Sequence, residues 1–305
     1  MKDLPQERLN GIELNLTPEE IAKLRKALGR EPSVCELVLF DIMWSEHCSY
    51  KSSRKVLRRY LPAHSSRVVI GPGEDAGVVR LARWNGRSFV LVVAHESHNH
   101  PSQILPVEGA ATGIGGIVRD VYCMGADVIG VMDSLRFGDP FGENAEQVKE
   151  IVNGVIRGIW EYANALGVPN LGGDVFFDRR YDENCLVNVI AIGIAEEQEI
   201  IRSRVPPAAR DEPYDYIIVG KPTDRSGLGG ATLASRIIEG GAERNVGAVQ
   251  IHDPFLKRVL TEATKAVLTF LRKSGVEIGF KDLGAGGIAC AISEMASAGG
   301  FGAEV

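Results

Sequence analysis

An apolar run, Phe89 to Val93, ends in Glu96-Ser97-His98-Asn99-His100-Pro101, which packs a carboxylate and two imidazoles into six residues. Side chains along a strand alternate between faces. A strand that persists through this stretch therefore sends Glu96, His98 and His100 one way and Ser97 and Asn99 the other. The run asks for a sheet, and the cluster at its end is either a site or a polar strand end with satisfied hydrogen bonds. As a site it would hold a cation through the carboxylate and move protons, or contact an anionic substrate, through the imidazoles. Imidazole also favours zinc, copper or nickel over magnesium, so a transition-metal site is a rival reading.

The chain has 305 residues, 45% of them hydrophobic and 24% charged, enough for two domains with separate cores. Its formal net charge of -6 argues against general attraction to nucleic acid or anionic lipid, although Arg54 to Arg59 form a local basic cluster. No apolar run approaches the roughly 20 residues of a membrane span, and Met1-Lys2-Asp3-Leu4-Pro5 lacks a signal-peptide core, so a cytoplasmic location is expected. Cys35, Cys48, Cys123, Cys185 and Cys290 are widely spaced and never form CxxC, which suggests neither a disulfide framework nor a thiolate zinc site.

The first sixty residues read as helical. Thr17-Pro18-Glu19-Glu20 is a capping box with proline at N1, predicting a helix to about Gly29, and a second helix is expected from Ser33. Strands follow at Arg67 to Ile70, Gly77 to Ala82 and Ser88 to His95, then a glycine-punctuated helix, Ala110 to Met124. Asp127 to Leu135 reads as a strand, Asn144 to Leu166 as a long helix and Leu186 to Ala195 as a strand. Arg202 to Pro213 suits a linker. Beyond it a strand is expected at Tyr214 to Val219 and helices at Gly230 to Glu239, Pro254 to Lys273 and Gly286 to Ala298. Without a strict βαβ rhythm, Rossmann fingerprint or P-loop, the pattern predicts a two-lobed α+β molecule.

Arg119 and Asp120 lie on the glycine-punctuated helix and project about 100° apart, a pattern more common on a solvated face than in a site. Gly113, Gly115 and Gly116 before them allow another backbone or a phosphate to approach. The glycine-rich stretch Thr223 to Thr232 could cradle phosphate or simply turn. Asp282 could cap the following helix or hold a divalent cation. His47 beside Cys48 invites a nucleophile reading, but no orienting base is evident from the sequence.

Together these residues are similar to a specific family. Trp44-Ser45-Glu46-His47-Cys48-Ser49-Tyr50-Lys51, then Glu96-Ser97-His98-Asn99-His100-Pro101-Ser102, then Gly113-Ile114-Gly115-Gly116-Ile117-Val118-Arg119-Asp120 resemble the synthetase subunit of phosphoribosylformylglycinamidine synthase, in order and in approximate spacing. Gln250-Ile251-His252-Asp253-Pro254-Phe255 and Lys281-Asp282-Leu283-Gly284-Ala285-Gly286-Gly287 extend the resemblance over nearly the whole chain.

The resemblance implies an ATP-dependent ligase that converts formylglycinamide ribonucleotide to formylglycinamidine ribonucleotide with ammonia from glutamine. It implies ATP and Mg2+ as cofactors, and a glutaminase and a small bridging subunit as partners. By carry-over His47 and His98 are catalytic and Tyr50 contacts ATP. Glu96, Asp120 and Asp282 ligate magnesium, and Ser97, His98, Asn99, His100, Arg119 and Gln250 hold the ribonucleotide. The implied fold is a helical lead at residues 1-60, a PurM-like N-terminal lobe at 61-205, and an incomplete PurM-like C-terminal lobe from 206 to 305. Ala94 stands where many family members carry an ATP-contacting lysine. Family members of the separate-subunit type are more than twice this length and contain a duplicated pair of lobes, so the expectation is a truncated form, half of a split enzyme, or a chain that pairs with its own copy. The resemblance leaves two rivals: another ATP-dependent enzyme of the PurM superfamily, or a non-catalytic ribonucleotide-binding or assembly fragment.

Overall fold

The computed structural model describes residues 14–61, 65–224, 226–227, 229–233 and 246–305, and the chain divides into two compact units. The first draws on residues 1–61, 229–239 and 283–291. Its N-terminal segment carries α1 (Pro18–Leu28), α2 (Val34–Met43), α3 (Glu46–Ser49) and α4 (Arg54–Tyr60). The expected capping box of Thr17 with Glu20 opens α1, and a second box, Ser33 with Glu36, opens α2, each satisfying amides that the first turn leaves without partners. Gly29, at φ 66°, closes α1 in the left-handed conformation that glycine adopts without penalty. Leu16, Ile21, Leu24 and Leu37 form the small core of this unit, and Phe40 and Trp44, edge to face with each other, pack against it.

The second unit is built on a six-stranded sheet. In chain order it contains β1 (Val68–Ile70), β2 (Gly77–Trp84), β3 (Arg87–Ser97), α5 (Asn99–Ile104), α6 (Pro106–Cys123), β4 (Asp127–Phe137), α7 (Ala145–Leu166), β5 (Asn170–Phe177) and β6 (Leu186–Glu196). The strand order is β1-β2-β3-β6-β4-β5, antiparallel except for the parallel pair of β4 with β5. Farther along the chain lie α8 (Gly230–Leu233), which belongs to the first unit, α9 (Pro254–Ser274), which belongs to the second, and α10 (Gly287–Gly299), whose residues are divided between the two.

One face of the sheet is covered and the other is open. Val90, Val92 and Ala94 of β3 share the covered side with Val187, Val189 and Ala191 of β6 and with Val131 and Leu135 of β4, and all are buried against α6 and α7. The alternate positions, among them Leu91, Val93, Ile190 and Ile192, are half-buried or exposed. Two-residue periodicity in a sheet with one packed face produces this division.

The expected strand at Tyr214 to Val219 is absent: no described segment pairs with it, and Ile217 is 83% exposed. Apolar β-branched sequence makes a strand only where a neighbour accepts its ladder hydrogen bonds. The linker Arg202 to Pro213 instead carries a bridge from Arg202 to Gly279 and a short turn of 3-10 helix, Pro207–Arg210. Of the helix expected at Gly230 to Glu239, Gly230–Leu233 is observed and the remainder lies outside the described residues.

Candidate active site

The stretch from Glu96 to His100 is not one strand. β3 ends at Ser97 and α5 begins at Asn99, so the expected alternation through His100 fails. Pro101 in the first turn of α5 favours helical φ there, and the turn removes His100 from the row that Glu96 occupies. Glu96 and His98 nevertheless both meet α6. A Cβ on Gly116 would lie 2.8 Å from Glu96 Oε1, and one on Gly113 would lie 3.2 Å from His98 Cβ. The glycines of α6 thus admit two side chains of the cluster, one helical turn apart. Gly115 faces away from them, toward Tyr162 of α7, whose hydroxyl would be 2.6 Å from a Cβ there.

His98 is held at several points. Its backbone N–H donates to Val187 O at 2.9 Å and its carbonyl accepts from Ser102 Oγ at 2.5 Å. Its Nδ1 lies 2.6 Å from Gly109 O. A carbonyl oxygen can only accept, so Nδ1 carries the proton and, in the neutral ring, Nε2 presents its lone pair as a base. Asn99 is fixed as well, its Oδ1 accepting from Val187 N–H at 2.9 Å.

Around Glu96 the structure gathers Arg119 and Asp120 of α6 with Asp282. Arg119 Nε donates to Asp282 Oδ2 at 3.0 Å, with the side chains 27% and 10% exposed. The Glu96 carboxyl is pushed up to about 7, first by removal from water and then by the charge of Asp282, against the pull of Arg119. Solvent still reaches the residue as a whole, which is exposed in this chain. Asp120 is raised by burial first, and then by repulsion from Asp282, Glu96 and Asp75. Three carboxylates crowd a half-buried space with one guanidinium among them, an arrangement with a deficit of positive charge.

Two residues missing from the sequence-based set complete this cluster. Lys281 Nζ binds Asp75 at 2.6 Å and Glu294 at 3.1 Å, and burial raises the Asp75 carboxyl despite that partner. Lys281 precedes Asp282 directly, so its place in a recognised motif was a usable signal; Asp75, in a turn, offered none. A third, Lys257 of α9, is 7% exposed, and its ammonium stands 5.5 Å over the ring of Tyr122, three residues beyond Arg119 on α6. Burial first and the charge of Arg119 second push Lys257 down to about 7.

Oxygen donors in such a set suit a hard cation such as magnesium better than a soft one. Among the described residues, however, no three His, Cys, Asp or Glu side chains converge closely enough to hold a metal ion as the structure stands. Gln250, in the same unit, is exposed, with its Cγ 2.6 Å from where a Cβ on Gly227 (φ 75°) would sit. His47 and Tyr50 belong to the first unit, where Ser45 caps the single turn of α3 and Tyr50, at φ 51°, ends it. Ala94 is buried in β3, opposite Ala191.

Comparison with known proteins covers nearly the whole chain. Residues 73–195 match the AIR synthase related protein, N-terminal domain, residues 212–305 match the corresponding C-terminal domain, and residues 6–51 match the formylglycinamide ribonucleotide amidotransferase linker domain. The chain is 56% identical over 293 residues to phosphoribosylformylglycinamidine synthase subunit PurL of Methanothrix thermoacetophila and 45% identical over 294 residues to that of Methanopyrus kandleri. In both cases the match takes in 96% of this chain and 38% of the relative, so the chain spans well under half the length of these proteins. T. maritima PurL complexed with FGAR superposes with a TM-score of 0.69 at 32% identity, over 93% of this chain and 42% of that one, and T. maritima PurL complexed with ATP has the same score and identity. Sequence and fold together make this chain a relative of the phosphoribosylformylglycinamidine synthase PurL subunits.

Proposed function

We propose that the chain carries part of the active site of an ATP-dependent carbon-nitrogen ligase that converts formylglycinamide ribonucleotide to formylglycinamidine ribonucleotide with ammonia from glutamine. One observation carries the reading. The strand end of β3 sets a histidine whose Nδ1 is engaged by the Gly109 carbonyl, which leaves Nε2 as the unprotonated ring nitrogen, in the unit that also holds the carboxylate-rich space around Glu96, in a chain 56% identical to a PurL subunit.

His98 is the proton acceptor of this reading: the Gly109 carbonyl fixes its tautomer, and Nε2 takes a proton from the attacking ammonia. His47 is a second catalytic residue and Tyr50 an ATP contact. Ser97, His98, Asn99, His100, Arg119 and Gln250 hold the ribonucleotide, Arg119 offering its planar fork to the phosphate. Glu96, Asp120 and Asp282 would hold Mg2+, and the repulsion among them supports this because a divalent cation relieves it. Bound there, the ion would neutralise charge on the transferring phosphoryl oxygens. Asp282 is shared with Arg119, so cation binding competes with that ion pair.

The wider assignments belong to the same proposal. Residues 1-60 form a lead, 61-205 a PurM-like N-terminal lobe and 206-305 a C-terminal lobe. Glutaminase and bridging subunits supply ammonia in the cytoplasm, and the open sheet face of β3 and β6 pairs with an equivalent lobe, from a second half or a second copy. Among the described residues no helix is long and apolar enough to cross a membrane.

ADP release by the purified chain with ribonucleotide, ATP, magnesium and ammonium chloride tests the reading. His98→Asn keeps a donor for the Gly109 carbonyl but removes Nε2, so it should abolish release without lowering stability. Release that survives His98→Asn refutes the assignment of the base.

A further inference from the structure

We infer that Cys48 and Cys290 form a peroxide-oxidisable thiol pair that closes to a disulfide between α3 and the first turn of α10. Both residues belong to the first unit and both carry thiols. Gly286 locates them. A Cβ built on it would lie 3.3 Å from Cys48 Sγ and 2.6 Å from Cys290 Cβ, with Cys290 Sγ nearer still. Two sulfurs that close to one point are within reach of each other by side-chain rotation, and only glycine leaves the space between them open.

The two thiols are not equivalent. Cys48 is half-buried and meets dissolved oxidant first, whereas Cys290 is 9% exposed. Cys290 sits in the N-terminal turn of α10, its N–H donating to Gly286 O at 3.4 Å, where amide dipoles favour negative charge. Cys48 thiolate attacks hydrogen peroxide, forming an S–O bond as the O–O bond breaks and hydroxide leaves to become water. Cys290 thiolate then attacks the Cys48 sulfur, the S–S bond forms, the S–O bond breaks, and a second water departs. The sulfurs together lose two electrons and the peroxide gains them.

The link would tether the residue adjoining His47 to the first turn of α10. Its formation rests on no part of the ligase reading, and the readout is chemical. The full chain is treated with hydrogen peroxide, remaining thiols are alkylated, and the protein is digested without reduction for mass spectrometry. Peptides containing Cys48 and Cys290 should appear joined, lose their alkylated forms in step, and separate again with dithiothreitol. Cys48→Ser should leave Cys290 fully alkylated after peroxide. Gly286→Ala, which puts a methyl between the sulfurs with both cysteines retained, should lose the joined peptide while circular dichroism shows the helices intact. Cys48 recovered as sulfinic or sulfonic acid with Cys290 still alkylated, or joined to a different cysteine, overturns the inference.

Discussion

Two adjacent glycines of α6 should respond oppositely to the same small change. Gly115→Ala and Gly116→Ala each remove the same backbone freedom from a helix interior, a gain of up to about 1 kcal/mol from propensity alone. That gain cancels when the two variants are compared. What remains is what the new methyl meets. At Gly115 it meets the ring of Tyr162, with the hydroxyl at 2.6 Å and Cζ at 2.7 Å, and this ring is 5% exposed between α6 and α7. A rigid ring in a packed layer cannot step aside, and overpacking of this kind costs about 1–3 kcal/mol. At Gly116 the methyl meets Glu96 Oε1 at 2.8 Å and nothing but Cδ beyond it, the far end of a side chain that can swing toward solvent. Gly116→Ala should therefore be more stable than Gly115→Ala by about 1–3 kcal/mol, read as a shift in urea midpoint at unchanged slope. In the same experiment Gly116→Ala displaces the carboxylate assigned to magnesium, so it should weaken binding of magnesium-ATP while Gly115→Ala spares it. Equal midpoints would refute the view that these glycines serve two different neighbours.

Lys257 should give stability a dependence on alkaline pH. Its folded value, about 7, lies below that of an ordinary lysine, so between about 7 and 10.5 the unfolded chain binds more protons and stability rises with pH. Lys257→Met should raise the melting temperature most at or below neutral pH and progressively less toward pH 10; a benefit independent of pH would refute it. On the open sheet face, Val93→Glu should reduce self-association measured by light scattering, since it charges a 36% exposed apolar position. At the start of α1, Thr17→Ala removes the cap to Glu20 N–H and should cost about 1 kcal/mol in urea unfolding of the first unit.

The parts of the fold legible in the sequence are those whose signals are local. The Thr17 capping box, the start of α2 at Ser33, the long amphipathic α7 and the proline-started α9 declare themselves within a few residues, and their observed bounds lie close to those expected. The strand β5 escaped because it is defined by its partner. Asn170 to Phe177 contains two glycines and no residue of it is buried, so no periodicity marks it, yet it pairs in parallel with β4. The segment Tyr214 to Val219 is the converse case: its composition is that of a strand, but no described neighbour completes the ladder.

The candidate site divides in the same way. Motifs contiguous in sequence brought Glu96, His98, Arg119, Asp120 and Asp282 into view, but motif spacing carries no information on which charges face one another. Arg119 illustrates this. Read locally, it and Asp120 are neighbours on a helix pointing apart; in the fold, Arg119 is satisfied by Asp282, 163 positions away, and Asp120 is left to repel that same residue. The buried Lys257 follows from the same principle, since only packing of α9 against α6 puts its ammonium over Tyr122. Buried cations and buried carboxylates in one unit, incompletely neutralised by each other, are costly to keep without a ligand to balance them. Folding energy is thus spent on holding unlike and like charges at fixed separations, which is useful only if a charged substrate or cation later enters among them. The proposed ligase chemistry, which brings a charged nucleotide and a divalent cation together, would supply such a ligand.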